Sequence, residues 1–140
     1  MIHRGGCHCG ALRYALETAM SLEQLPLRAC QCSFCRHHGA LSTSDSQGAL
    51  RFELRDASRL IRYRFGLKTA YFLICGTCGV YVGATLEDGG KSWAIINANT
   101  LDEVAQLAQD AAPMDYDGED AAGRMARRKA RWTPVGDAHN

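Results

Sequence analysis

Between residues 11 and 98 the apolar positions recur mostly every second residue, the period of a half-buried strand. Within 11–17, Leu12, Tyr14 and Leu16 fall on one face, and 50–54 alternates cleanly. Residues 26–30 read as a further strand. Segments 60–65 and 69–74 form a pair joined at Gly66-Leu67-Lys68, the second running directly into Cys75. Segments 80–86 and 92–98 flank Glu87-Asp88-Gly89-Gly90-Lys91, whose Asp-Gly step is a hairpin signal. The stripe Tyr63, Phe65, Tyr71 and Phe72, with Trp93 and Trp132, is expected to pack in this β core.

Past residue 99 the period changes. Over 101–108, Leu101, Val104 and Leu107 or Ala108 share a helical face, with Thr100 or Asp102 as the cap and Pro113 as the stop. Four of the six residues 115–120 are acidic and five of the eight residues 124–131 are basic. That order matches a helix dipole, so a second helix is predicted over 118–131, weakened by Gly123. Residues 133–140 read as a loose tail. With 140 residues the chain is expected to form one domain, 1–140, with its core over about 3–132.

Chemistry enters with the cysteines. All seven fall into Cys7-x-Cys9, Cys30-x-Cys32-x-x-Cys35 and Cys75-x-x-Cys78. An odd count leaves a thiol outside any set of disulfides, and residues 1–6 lack the apolar core of a signal peptide, so reduced thiolates on zinc in the cytoplasm are the expectation. The two pairs together can supply the four ligands of a closed tetrahedral site. Cys30, Cys32 and Cys35 are close enough to hold an ion by themselves. Their fourth position is either closed by His37 or His38 or left open to water or a substrate.

Charge narrows the partners. The formal net charge is +1, so no global field draws the chain to nucleic acid or an anionic membrane. No run of about 18 apolar residues is present, which excludes a helical membrane span.

With the clusters placed, the chain resembles the family of glutathione-dependent formaldehyde-activating enzymes, which also includes centromere protein V. Gly6-Cys7-His8-Cys9-Gly10-Ala11-Leu12-Arg13-Tyr14 is similar to the family's opening motif, Cys30-Gln31-Cys32-Ser33-Phe34-Cys35-Arg36 to its second and Cys75-Gly76-Thr77-Cys78-Gly79 to its third. The resemblance runs from about residue 3 to Asp102, and Tyr116-Asp117-Gly118-Glu119 with Arg131-Trp132 is similar to the tail of many bacterial members. It departs at Gln31, where members often carry His.

The resemblance implies a mainly β fold, a β-tent of coiled antiparallel sheets pinned by a structural zinc, with short C-terminal helices. It assigns Cys7, Cys9, Cys75 and Cys78 to that structural zinc, and Cys30, Cys32 and Cys35 to an exchangeable catalytic zinc, two ions per chain. The implied activity is that of a carbon–sulfur lyase, in which glutathione adds to formaldehyde to give S-hydroxymethylglutathione. Glutathione carries two carboxylates, so cations are expected nearby: Arg36 beside the second cluster, and Arg124, Arg127, Arg128 and Arg131, which otherwise read as a solvated helix face. The competing expectation is a non-catalytic, zinc-stabilised binding module.

Overall fold

Leu12, Tyr14 and Leu16 are all buried, as their alternation predicts. In the computed structural model, which describes residues 1–108 and 110–136, the strands are Ile2–Gly6 (β1), Leu12–Glu17 (β2), Arg28–Cys30 (β3), Ser42–Thr43 (β4), Ala49–Leu54 (β5), Leu60–Tyr63 (β6), Tyr71–Cys75 (β7), Tyr81–Asp88 (β8), Lys91–Asn97 (β9), Ala112–Met114 (β10) and Thr133–Pro134 (β11). The helices are Ser33–His38 (α1) and Ala121–Arg131 (α2). The expected mainly β class is what the chain adopts.

A three-stranded antiparallel sheet has the order β1-β2-β5. An eight-stranded sheet has the order β10-β3-β4-β9-β8-β7-β6, with β11 added to β9 and β10 parallel to β3. The central strands of the larger sheet are covered on both faces. Along β9, Ala94 and Ile96 pack with Tyr14, Leu16 and Leu50 of the small sheet, while Ile95 packs with Phe72, Leu86 and Trp132 on the other side.

Strand β8 carries an extra residue. Leu73 pairs with Gly83 but Ile74 pairs with Tyr81, so Val82 bulges. The bulge shifts the alternation by one. Tyr81 joins Ala84 and Leu86 on the face that carries α1, while Val82 turns to the cluster containing Cys7 and Cys75.

Several elements differ from the sequence reading. Residues 101–108 form only a 3-10 turn, Val104–Gln106. Leu101 is bridged to Gly5, the amide of Asp102 donates to Arg4 O, and the Asp102 carboxylate takes two bonds from Arg13 (2.8 and 2.5 Å). These contacts hold the start of the segment extended, and Val104 is left exposed. Pro113 lies in β10, an edge strand, where its missing N–H costs no ladder bond. Helix α2 starts later than predicted because Asp120 caps it, accepting from the amide of Gly123 at 2.7 Å. The tail is not loose at its start: Thr133 is buried, and the amide of Gly136 donates to Leu50 O; residues 137–140 lie outside the described residues. Of the aromatic stripe, Phe72 is buried but Tyr63 is 46% exposed.

Gly5 is placed where β1, β2 and the segment after β9 converge. A Cβ there would lie 2.4 Å from both the Tyr14 hydroxyl and Thr100 O. Gly5→Ala is therefore expected to lower the unfolding free energy by about 1–3 kcal/mol, the cost of overpacking against backbone; urea denaturation measures it, and an unchanged midpoint would show that this contact relaxes freely.

Candidate functional site

Two tight turns build the first cluster. After β1 the chain reverses at Cys7-His8-Cys9-Gly10, where Gly10 takes φ 85° and the amide of Cys7 donates to Leu12 O. After β7 it reverses at Cys75-Gly76-Thr77-Cys78-Gly79, with Gly79 at φ 80° and its amide donating to Cys75 O at 2.8 Å. The four sulfurs converge, within 4.8 Å of one another, with Cys7 Sγ to Cys9 Sγ at 3.7 Å and Cys9 Sγ to Cys75 Sγ at 3.6 Å. A tetrahedral site with metal–sulfur bonds of about 2.3 Å has sulfur–sulfur edges of about 3.8 Å, so this spacing fits a four-thiolate metal ion. The Leu12 amide donates to Cys7 Sγ at 3.3 Å. Burial raises Cys78, but the amides of Cys9 and Val80 and the neighbouring thiols outweigh it and bring the group to about 6.

The second cluster is local. Cys30 ends β3, and Cys32 caps α1, its sulfur accepting from the Cys35 amide at 3.4 Å. One short helical turn thus folds Cys35 back toward Cys30 and Cys32, and all three sulfurs lie within 4.8 Å of one another. Hydrogen bonds from the Cys30 and Cys35 thiols push Cys32 down, while Cys30 is pushed up chiefly by Cys32, and Cys35 by Cys30 and Cys32. Three thiolates at this distance repel one another, so they ionise together only around a cation. The donor set fits a metal ion.

Neither histidine completes the set. His37 Nδ1 lies 2.6 Å from Ser33 O, and the His38 ring packs on Phe34 and Tyr81 at 4.6 and 5.6 Å. Among the described residues, no histidine nitrogen or carboxylate oxygen joins Cys30, Cys32 and Cys35.

The three cysteines form part of the wall of a cavity of about 340 Å³. Phe65, Phe72, Ile95 and Trp132 give it an apolar side; Arg28 from β3 and Arg124, Arg127, Arg128 and Arg131 from α2 give it a cationic one. Arg124 and Arg127 are engaged by Glu119 at 3.3 and 2.7 Å, and Arg127 lies 3.5 Å over the Tyr116 ring. Burial, with Arg127 and Arg124 nearby, lowers Arg128 to about 10. Arg124, Arg127 and Arg128, expected on a solvated helix face, are thus half-buried at the cavity, whereas Arg131 is exposed. Arg36, by contrast, is exposed on α1 and does not line the cavity. Arg28 was missed by the sequence reading, although a strand ending at Cys30 places residues 28 and 30 on one face.

Fold and site together define a mainly β protein with two cysteine clusters able to hold metal ions. The chain belongs to the glutathione-dependent formaldehyde-activating enzyme family, whose model matches residues 2–115. It is also similar to a Rhodobacter sphaeroides protein whose crystal structure was solved as a structural-genomics target, at 28% sequence identity, covering 79% of this chain and 99% of that one with a TM-score of 0.58.

A metal ion bridging Cys9 to Cys75 would close a loop between residues 66 positions apart, worth about 4 kcal/mol in chain entropy. Chelation is therefore expected to lower the denaturant midpoint of the parent protein but not that of the Cys9→Ser, Cys75→Ser double variant. Equal responses would locate the effect elsewhere.

Proposed function

We propose that this chain is a carbon–sulfur lyase-type enzyme that activates a thiol, glutathione first among candidates, for addition to formaldehyde or a related aldehyde. In this reading Cys30, Cys32 and Cys35 hold a catalytic zinc, and Cys7, Cys9, Cys75 and Cys78 hold a structural one. The observation that carries it is the juxtaposition of a three-sulfur set, without a fourth protein ligand atom among the described residues, and a cavity large enough for a small organic reactant. Cys30, Cys32 and Cys35 would hold the zinc, which when bound would lower the pKa of an entering thiol.

The chain's own residues do the rest. Cys32 as cap and Cys35 in the first turn of α1 keep the three sulfurs together in the cavity wall. Phe65, Phe72, Ile95 and Trp132 exclude water from the space where thiol and aldehyde meet. Holding two small reactants within about 3–3.5 Å is worth several powers of ten in effective concentration. Arg36, exposed on α1 outside the cavity, is the cation for a carboxylate of a thiol long enough to extend beyond it.

A binding module without turnover is the poorer reading, because the cavity adjoins the sulfurs and the net charge of +1 provides no field for nucleic acid. No helix among the described residues is long and apolar enough to cross a membrane.

Metal analysis is expected to find two zinc ions in the parent and one in Cys32→Ser, with the fold retained by circular dichroism. Loss of both ions, or a parent with one, would remove the division of labour. Thiol addition to formaldehyde, followed by NMR, is expected to exceed the spontaneous rate in proportion to protein; no excess at any concentration would end the enzyme reading for that pair.

A further inference from the structure

Much of the charge in the cavity wall is unanswered by the chain. Of its five arginines, Arg124 and Arg127 are paired with Glu119 and Arg131 is exposed to solvent, whereas among the described residues the half-buried Arg28 and Arg128 form no salt bridge. Arg28 donates to Ser44 Oγ. Arg128 sits 4.8 Å over the Trp132 ring and donates from Nη1 to Thr69 Oγ1 at 2.7 Å, but its Nε is buried with no partner. A guanidinium taken out of water without a carboxylate is costly, and an orphaned buried N–H adds to that cost. The C-terminal end of α2 and the Trp132 π face offset part of the charge. Neither supplies an acceptor for Nε–H.

Two separate stretches bring these groups to one space. The period of β3 puts Arg28 on the same face as Cys30, and the helical period of α2 puts Arg124, Arg128 and Arg131 on one stripe. Both the stripe and Cys30, Cys32 and Cys35 line the same cavity. Helix α2 and Trp132 lie beyond residues 2–115, the span matched by the family model. This wall is therefore supplied by a segment outside that match.

We propose that Arg128 and Arg28 form a carboxylate-binding subsite in the cavity, so that one of the two reactants meeting at the three-cysteine cluster carries a carboxylate seated there. The carboxylate neutralises charge that the fold leaves unpaired at Arg128 and Arg28. It belongs either to the thiol or to an oxo-acid taking the place of formaldehyde. Placing a reactant there rests on the thiol-activation reading; the subsite's preference for carboxylate over a neutral group can be measured without it.

Trp132, beneath Arg128, provides the signal. In a Trp93→Phe background of the zinc-loaded full chain, fluorescence titration is expected to show propionate binding about tenfold or more tightly than 1-propanol, since a charge-assisted bond to a desolvated guanidinium is being made. Arg128→Met and Arg28→Met are each expected to reduce that preference several-fold, with Arg128→Lys retaining part of it. Zinc content should not change. Arg128→Met should also melt no lower than the parent, because it replaces an incompletely paired buried charge by an apolar side chain. Equal affinity for propionate and propanol in the parent, or an undiminished preference in Arg128→Met, would overturn the proposal.

Turnover with matched pairs identifies the source. A KM at least tenfold lower for 3-mercaptopropionate than for 3-mercaptopropanol, abolished in Arg128→Met, assigns the carboxylate to the thiol. The same result for glyoxylate against glycolaldehyde assigns it to the aldehyde. A propionate preference that persists while no thiol–aldehyde pair turns over sustains the subsite and sinks the thiol-activation reading. Turnover without any preference for carboxylate does the reverse.

Discussion

Four sulfurs converge where the two sheets meet. Cys7 and Cys9 follow the last residue of β1, in the small sheet, and Cys75 and Cys78 belong to the turn that ends β7, in the large one. Bringing these turns within sulfur–sulfur contact fixes the edge at which the sheets meet, and a small apolar cluster of Leu12, Leu73 and Val82 packs directly around Cys7 and Cys75. Further along, the larger cluster centred on Tyr14, Leu16, Leu50 and Ile96 fills the space between the sheets. A metal ion held by these sulfurs would therefore act on the same angle as the core, and that angle sets which face of the large sheet remains for α1 and α2.

The two cysteine clusters differ in what they cost the chain to assemble. The four-sulfur cluster spans distant turns, so it constrains topology. The three-sulfur cluster lies within one short segment and closes almost no loop, so an ion held there would add little to folding. Its geometry needs only the end of β3, a cap at Cys32 and one turn of helix. The bond between His37 and its own helix, and the packing of the His38 ring on Phe34 and Tyr81, leave those imidazoles turned to other partners.

The cavity wall shows the opposite economy. Arginines from β3 and α2 are held inside by contacts that do not neutralise them all: a hydroxyl, an aromatic face and a helix terminus. Stability alone favours apolar residues at such positions. Their presence beside a ligand set for metal is the structural feature that most specifically shapes what the cavity can receive, and it arises where the chain returns after the sheets are complete.

The local order of residues determined the strands from Leu12 to Asn97 in outline, the hairpin after β8, the partition of the cysteines and the basic face of α2, because each depends on neighbours a few positions away. Gly5 and the bonds of Asp102 were not legible, since they express the approach of β1 to a segment about 95 residues later; those contacts turned a helical pattern into a single 3-10 turn. The β8 bulge, which sends Tyr81 and Val82 to opposite faces, likewise depends on the partner strand. What only the tertiary structure decided is which side chains share a space: the absence of a histidine or carboxylate ligand beside Cys30, Cys32 and Cys35 among the described residues, the addition of Thr133–Pro134 to β9, and the presence of Arg28 and Arg128 in the wall of one cavity. Periodicity assigns a residue to a face; only packing between elements far apart in the chain determines what that face meets.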